Sequence, residues 1–264
     1  MAEPGPGRTL LVALAVCGVC SLVVTGSVVL LRPFQVENQQ RERERRVRAL
    51  VDGLPGVSDL VEAAGEARIE LRVVELATGA YATSRDASAL LEKSDGAEGE
   101  VPLPPERDPA GIGYVPTHVV VYELRRGDRV DTAILPIHGQ GYLSMMRGYL
   151  AVAGDGETVR GIAFTEHHET PGLGSEVESP EWQARWQGRR LYGSDGEVRI
   201  RVVKTLPAAG SPDAPYVVQG ISGATLTSAG VSELVRFWVG PDGFGPYLER
   251  LRAAAGSEGE GDPS

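Results

Sequence analysis

From Thr9 to Leu31 the chain carries no charged side chain, and these 23 residues would rise about 35 Å as a helix, against a hydrocarbon core of about 30 Å. The pattern predicts one transmembrane helix over 9–31, behind a short segment 1–8 that carries Arg8. Arg32-Pro33 closes it, since proline cannot continue the hydrogen-bond ladder. The run is longer than the apolar core of a typical signal peptide and lacks an Ala-x-Ala site, which favours an uncleaved anchor. Gln35 to Leu54 then alternates Arg and Glu at i,i+4 spacing beside a narrow stripe of Val47, Leu50, Val51 and Leu54, predicting a helical stalk over 32–54.

Further on, β-branched and aromatic runs separated by turn residues predict strands. Val119-Val120-Val121-Tyr122 and Asp131 to Ile137 flank Arg126-Gly127-Asp128 as one hairpin. Leu150 to Val152 and Val159 to Phe164 flank Gly154-Asp155-Gly156 as the clearest hairpin of the chain, because Asp-Gly is a preferred tight-turn pair. Arg199 to Val203 reads as another strand. Thr78 to Gly113 is polar and broken by Lys93-Ser94-Asp95-Gly96 and Pro102-Leu103-Pro104-Pro105, a loop-rich insertion. Helices are expected at Glu181 to Trp186 after Pro180, at Leu226 to Trp238 and at Pro246 to Ala254. In the second of these, Leu226, Val231, Leu234, Val235 and Trp238 recur at helical spacing. The fold class is therefore α+β, an antiparallel sheet with flanking helices over 55–255, preceded by one transmembrane helix and followed by a disordered acidic tail, 256–264.

Charge and cysteine usage narrow the function. A formal net charge of −10 sets the chain against a nucleic-acid partner. Cys17 and Cys20 are its only cysteines and both fall in the anchor, so no disulfide staples the part beyond it. Glu166-His167-His168-Glu169 invites a metal reading, which we reject. Adjacent histidines on an extended chain point to opposite faces, His-Glu-x-x-His spacing is absent, and the remaining histidines are His118 and His138.

The most informative segment is Ser222-Gly223-Ala224-Thr225-Leu226-Thr227-Ser228, which lies between strand-like Tyr216-Val217-Val218 and an amphipathic run. Small residues at a helix start let a phosphate approach both the unpaired N–H groups and a hydroxyl. Ser222 on its own reads as an ordinary N-cap. The segment resembles, however, the Ser/Thr-Gly-Ala-Thr flavinylation motif of the flavin-bearing subunits of Na+-translocating NADH:quinone reductase and of the related Rnf complex. That resemblance implies FMN joined through its phosphate to Thr225, with Ser222, Gly223 and Ala224 around it. Thr227 points about 200° around the helix axis from Thr225 and is the poorer candidate. Gln219 stands where the family usually has an acid thought to help the flavin transferase recognise its target, which weakens that step.

A second match is Glu169-Thr170-Pro171-Gly172-Leu173-Gly174, identical to a family segment that lies against the flavin ring. It implies contacts from Glu169, Thr170, Leu173 and Gly174. Tyr142, in Gly139 to Ala151, stands where the family usually has Trp and is a further candidate to border the ring. Lys204 is a weaker candidate to balance the phosphate charge. The anchor and Gly139 to Ala151 resemble the NqrC family, the quinone reductase branch, more than the Rnf branch. The resemblance implies an electron-transfer subunit of a bacterial inner-membrane translocase. In it electrons pass from NADH towards ubiquinone, coupled to Na+ export, with the other members of the complex and a flavin transferase as partners. It implies no catalytic acid, base or nucleophile and no metal. The arginines after the anchor place the large domain in the cytoplasm by the positive-inside count, whereas the resemblance places it in the periplasm, and we follow the resemblance. The competing readings are the Rnf flavin subunit itself and a membrane-tethered assembly or binding module without flavin.

Overall fold

The computed structural model describes residues 14, 16–18, 20–21, 68–94, 96–208 and 210–259. The chain divides into two units, Met1–Ala49 and Leu50–Ser264. In the first, Leu14, Val16, Cys17, Gly18, Cys20 and Ser21 are helical and exposed. Among the described residues no helix is long and apolar enough to cross a membrane. The rest of the expected anchor, the stalk at 32–54 and residues 260–264 lie outside the described residues.

The second unit is built on an antiparallel sheet. Its strands are β1 (Arg68–Glu75), β2 (Ala80–Tyr81), β3 (Ala97–Glu98), β4 (Val101–Pro102), β5 (Tyr114–Val115), β6 (His118–Arg126), β7 (Arg129–Gln140), β8 (Met145–Ala153), β9 (Val159–Glu166), β10 (Arg201–Val203) and β11 (Val217–Gln219). Seven form the main sheet in the order β2-β1-β6-β7-β8-β9, with β3 also on β6. Both expected hairpins are present. Gly127 at φ 60° turns β6 into β7, and Gly156 at φ 66° lies in the β8–β9 turn, a conformation costly for residues with a Cβ. Asp155 locks the latter turn by accepting from the backbone N–H groups of Glu157 and Thr158, 2.8 Å each, and from the Thr158 hydroxyl, 2.6 Å. The Arg199 to Val203 strand is β10, but it pairs in parallel with β11 outside the main sheet.

Among the described residues, four α-helices accompany the sheet: α1 (Ala87–Ser94), α2 (Pro180–Gln183), α3 (Thr225–Trp238) and α4 (Gly245–Gly259). α2 starts as expected, with Pro180 in the first turn and the Ser179 hydroxyl accepting from Trp182 N–H, and it tightens into a 3-10 turn over Ala184–Trp186. α3 lies across β7 so closely that Gly139 and Gly230 have no room for a Cβ. One added at Gly139 would sit 2.6 Å from Leu234 Cβ, and one at Gly230 2.6 Å from the Gln140 carbonyl. Val231, Leu234, Val235 and Trp238 bury against Leu135, Ile137, Leu150 and Ile162 of the sheet, so most of the expected stripe is core. Leu226 is not, being 59% exposed. Two further expectations need correction. The segment read as loop-rich contains the two-turn helix α1, whose Ala87 and Leu90 pack on Val73 and Val120 and whose start is capped by Asp86 Oδ1 accepting from Ser88 N–H at 2.8 Å. The helix expected to end at Ala254 runs on as α4 to Gly259, into the segment read as a tail.

His138 marks the margin of this packing. Its ring lies 4.9 Å from that of Trp238, whose indole N–H donates to the His138 carbonyl at 2.6 Å. Burial, then the facing Arg147, pushes its pKa down from 6.5 to about 4. Because the unfolded chain takes up this proton near pH 6.5 and the folded one only near 4, stability falls as pH drops through that window, by at most about 3 kcal/mol. Urea midpoints of the wild type and His138→Gln, measured from pH 4 to 7, should show a shallower pH dependence in the variant. Parallel curves would contradict the assignment.

Candidate functional site

The first wall of the site is the turn from β11 into α3. The Gly220 N–H donates to the Val203 carbonyl at 2.9 Å, Ala224 N–H donates to the Ile221 carbonyl at 3.2 Å, and Gly223 takes φ 79°. Helix α3 then starts with Ala224 at the cap position and no side chain capping its first turn. Ser222 is therefore not the cap that its residue type suggests, and it is exposed, as is Thr225. An uncapped first turn beside an exposed hydroxyl presents N–H donors and a nucleophilic oxygen to a bound anion. The next hydroxyl is disposed differently. Thr227 is 2% exposed, and its Oγ1 donates to Glu169 Oε2 at 2.6 Å. Of the two threonines, Thr225 presents its side chain to the outside and Thr227 does not.

The second wall follows β9. Thr170 is half-buried, and its carbonyl accepts from Leu173 N–H and Ser175 N–H, 3.1 Å each, closing a tight loop through Gly172 at φ 71°. A Cβ on Gly172 would meet nothing within 4 Å, so the loop's outer surface is open. Leu173 is 42% exposed and reaches over Gly223, where an added Cβ would lie 2.9 Å from Leu173 Cδ2. Gly174 is buried against Thr227, with only 2.6 Å between an added Cβ and the threonine Oγ1. Leu173 and Gly223 are thus brought into contact from distant parts of the chain, and Gly174 is brought onto the first turn of α3.

The third wall is the β7–β8 turn, Gly141 to Ser144. Gly141 N–H donates to the Ser144 carbonyl at 2.8 Å, and Ser144 Oγ accepts from His168 N–H at 2.8 Å. Tyr142 and its neighbour Leu143 stand 53% and 56% exposed at the tip. Tyr142, Leu143, Leu173 and Leu226 are the large apolar side chains that these three segments leave in solvent, in a chain that buries many of its Leu and Tyr residues elsewhere. The apolar pattern of the sequence gives no hint of Leu143 and places Leu226 in the core. Glu169 stands behind all three walls, 4% exposed, accepting from Leu143 N–H at 2.9 Å and Ser144 N–H at 3.3 Å on Oε1. Burial alone would raise its pKa. The Thr227 hydroxyl and the N–H groups of the β7–β8 turn outweigh that and hold it below the ordinary carboxylate value.

The exposed side chains of Thr225, Tyr142, Leu143 and Leu173 make the arrangement an outward-facing shelf. Two concavities of about 700 and 630 Å³ are lined by other residues, such as Arg85, His138 and Trp238 in the one and Arg126, Arg160 and Tyr247 in the other. A flat ligand fits the shelf if its phosphate sits at the α3 start and its ring lies over Leu173. The residues present match FMN on two structural grounds, the uncapped first turn below the left-handed Gly223 and the exposed apolar groups above it. Lys204 is exposed. The two adjacent histidines do not converge. His167 Nδ1 accepts from Glu169 N–H at 3.2 Å and its Nε2 lies 3.0 Å from Glu178, while His168 is exposed. Among the described residues no group of three His, Cys, Asp or Glu side chains could hold a metal ion.

Comparison with known proteins gives one answer. The FMN-binding domain family matches residues 141–240, a span that includes all three walls. The C subunit of the Na(+)-translocating NADH-quinone reductase of Pseudomonas aeruginosa is 40% identical over 93% of this chain and 95% of its own length. Its counterpart in Yersinia pestis is 39% identical over 94% of each. The crystal structure of Shewanella oneidensis NqrC superposes with a TM-score of 0.62 at 28% identity, over 73% of this chain and 87% of that one.

Proposed function

We propose, for a chain that belongs to the NqrC family of Na(+)-translocating NADH-quinone reductases, that it is the complex's electron-transfer flavin subunit and holds FMN by a phosphoester to Thr225. The observation that carries the attachment site is the contrast between two hydroxyls two residues apart. Thr225 is exposed at an uncapped helix start, and Thr227 is spent on a buried carboxylate.

When bound, FMN supplies reversible electron acceptance and donation, chemistry that no side chain here offers. The protein's own contributions are positional. The first-turn N–H groups of α3 and the helix dipole favour the phosphate's charge. Gly223 leaves the approach to Thr225 free of a side chain, and its φ of 79° is one that L-residues avoid. Leu173, Tyr142 and Leu143 offer apolar surface to a ring and exclude water from the faces they cover, while the Thr170 loop presents polar backbone at their edge. Since a phosphoester leaves the ring unmodified, these groups set its potential.

We extend the reading to the rest of the chain. Residues 9–31 form a single anchor in the bacterial inner membrane, 32–54 a stalk, and 55–255 a periplasmic FMN-binding domain. The partners are the other members of the complex and a flavin transferase, and electrons pass from NADH towards ubiquinone with export of Na+. Gln219 is exposed at the end of β11, with its carbonyl held by the Trp182 indole N–H at 3.0 Å, so its side chain faces solvent where a modifying enzyme can read it. Two variants test the site's design. Gln219→Glu should be flavinylated faster than the wild type in a time course with the transferase, and an unchanged rate would remove Gln219 from recognition. Gly223→Val combines backbone strain with a clash on Leu173. It should lose most covalent FMN by intact mass while retaining a folded circular dichroism spectrum, and full occupancy would show that the approach to Thr225 is not confined there.

A further inference from the structure

Glu169 is placed where the three walls meet, and its carboxylate is occupied by protein donors: Thr227 Oγ1 on one oxygen, Leu143 N–H and Ser144 N–H on the other. Both it and Thr227 are buried. The surrounding backbone leaves it no play. A Cβ on Gly141 would sit 2.6 Å from its Oε1, and one on Gly174 3.0 Å from its Oε2. Hydrogen bonds to an ionised acceptor are about twice as strong as neutral ones, and those from Thr227 and Leu143, at 2.6 and 2.9 Å, are the close ones here, so this junction is stiff. Each arm leads to an outward-facing group. Through the β7–β8 turn it leads to Tyr142 and Leu143, through the first turn of α3 to Thr225, and through its own backbone to Thr170 and Leu173.

We infer that Glu169 is a positioning residue. It fixes the spacing between the phosphate anchor at Thr225 and the apolar groups Tyr142, Leu143 and Leu173, acting through Thr227 and the β7–β8 turn without touching FMN. This rests on the flavin reading above. Loosening the junction changes how completely the apolar groups cover the ring, and with it the ring's exposure and potential. A residue that merely supports the fold would change stability alone.

The test uses the full chain co-produced with a flavin transferase. Wild type, Glu169→Gln, Thr227→Val and Thr227→Ser are compared for covalent occupancy at Thr225, iodide quenching of the bound flavin, and midpoint potential. Tyr247→Phe, which removes one hydrogen bond from a buried cluster sharing no residue with the site, serves as the control for stability loss. Glu169→Gln and Thr227→Val should raise quencher access severalfold and shift the potential. Thr227→Ser, which keeps the hydroxyl, should behave as wild type, and Tyr247→Phe should move neither reading. A flavinylated wild type whose Glu169→Gln and Thr227→Val variants match it in both readings would overturn this inference and leave the flavin assignment standing. An unmodified wild type would overturn both. If Glu169→Gln fails to accumulate, Thr227→Val against Thr227→Ser decides alone.

Discussion

Thr225→Val abolishes covalent flavin. The expected result is complete loss of the FMN mass increment and of in-gel fluorescence, in a protein whose unfolding midpoint stays close to that of the wild type. Valine keeps the branched shape, and Thr225 is exposed with no cap bond to lose, so the substitution costs little in the fold. What it removes is the oxygen that would bear the phosphate. Thr227 cannot take over without giving up its 2.6 Å bond to Glu169 and rotating out of a buried position, which would leave a carboxylate short of a donor in a dry environment. Retention of FMN in Thr225→Val, whether on Thr227 or on Ser222, would refute the assignment of the site.

The largest loss of stability is expected from Glu123→Ala, in the interior strand β6, between β1 and β7. Glu123 lies in β6 with no exposure at all, yet it carries a carboxylate satisfied by three donors. The hydroxyls of Tyr81 in β2 and Tyr247 in α4 both donate to Oε1 at 2.7 Å, and Arg125 donates to Oε2 at 2.8 Å. Arg125 also lies 3.9 Å from Glu70, and the two tyrosine rings meet edge to face at 6.2 Å. Removing the carboxylate leaves the Arg125 guanidinium with the Asp128 carbonyl and the more distant Glu70, and takes an acceptor from two tyrosine hydroxyls, a loss of about 3 kcal/mol by analogy with broken buried ion pairs. Urea unfolding should show that drop with an unchanged slope, and a loss under about 1 kcal/mol would contradict the network's role. The cluster also predicts an alkaline limit. Burial, then the Glu123 carboxylate, pushes Tyr81 up to about 12, and Tyr247 moves the same way. Because the unfolded chain ionises near pH 10 and the folded one does not, stability declines as pH rises from about 10 to about 12.

Much of the sheet is legible from period and punctuation. The β6–β7 and β8–β9 hairpins announce themselves through β-branched runs ending at Gly127 and Asp155-Gly156, where turn chemistry is local. Strand β1 is harder to foresee, although Ile69, Leu71 and Val73 alternate with Arg68, Glu70 and Arg72. Its partner β6 lies far along the chain, with no hairpin turn to point to it. The parallel pairing of β10 with β11 is likewise non-local.

Helix α3 shows why a helical stripe misjudges one residue at the site. The stripe assumes that apolar residues go inside, but α3 buries Thr227, Ser228 and Ser232 and leaves Leu226 in solvent. Each hydroxyl is matched to a specific partner: Thr227 to Glu169, Ser228 Oγ to the Ile221 N–H at 3.0 Å, and Ser232 Oγ to the Val202 N–H at 3.1 Å. These partners come from three different segments, so no reading of α3 alone could supply them. The same non-locality governs Glu169, whose motif marks it as a flavin neighbour while its hydrogen bonds turn it inward. At Ser222 to Thr225 the local residues suggest a helix start capped by Ser222, whereas Ala224 takes the cap position; the flavin reading of this segment comes from the resemblance, not from the residues alone.

The most direct measurement is the intact mass of the full chain co-produced with a flavin transferase, followed by peptide mapping of the modified residue. The account predicts a single increment matching FMN on the peptide containing Thr225, with Thr227 unmodified. An unmodified chain, or an increment that maps to any other residue, would contradict it.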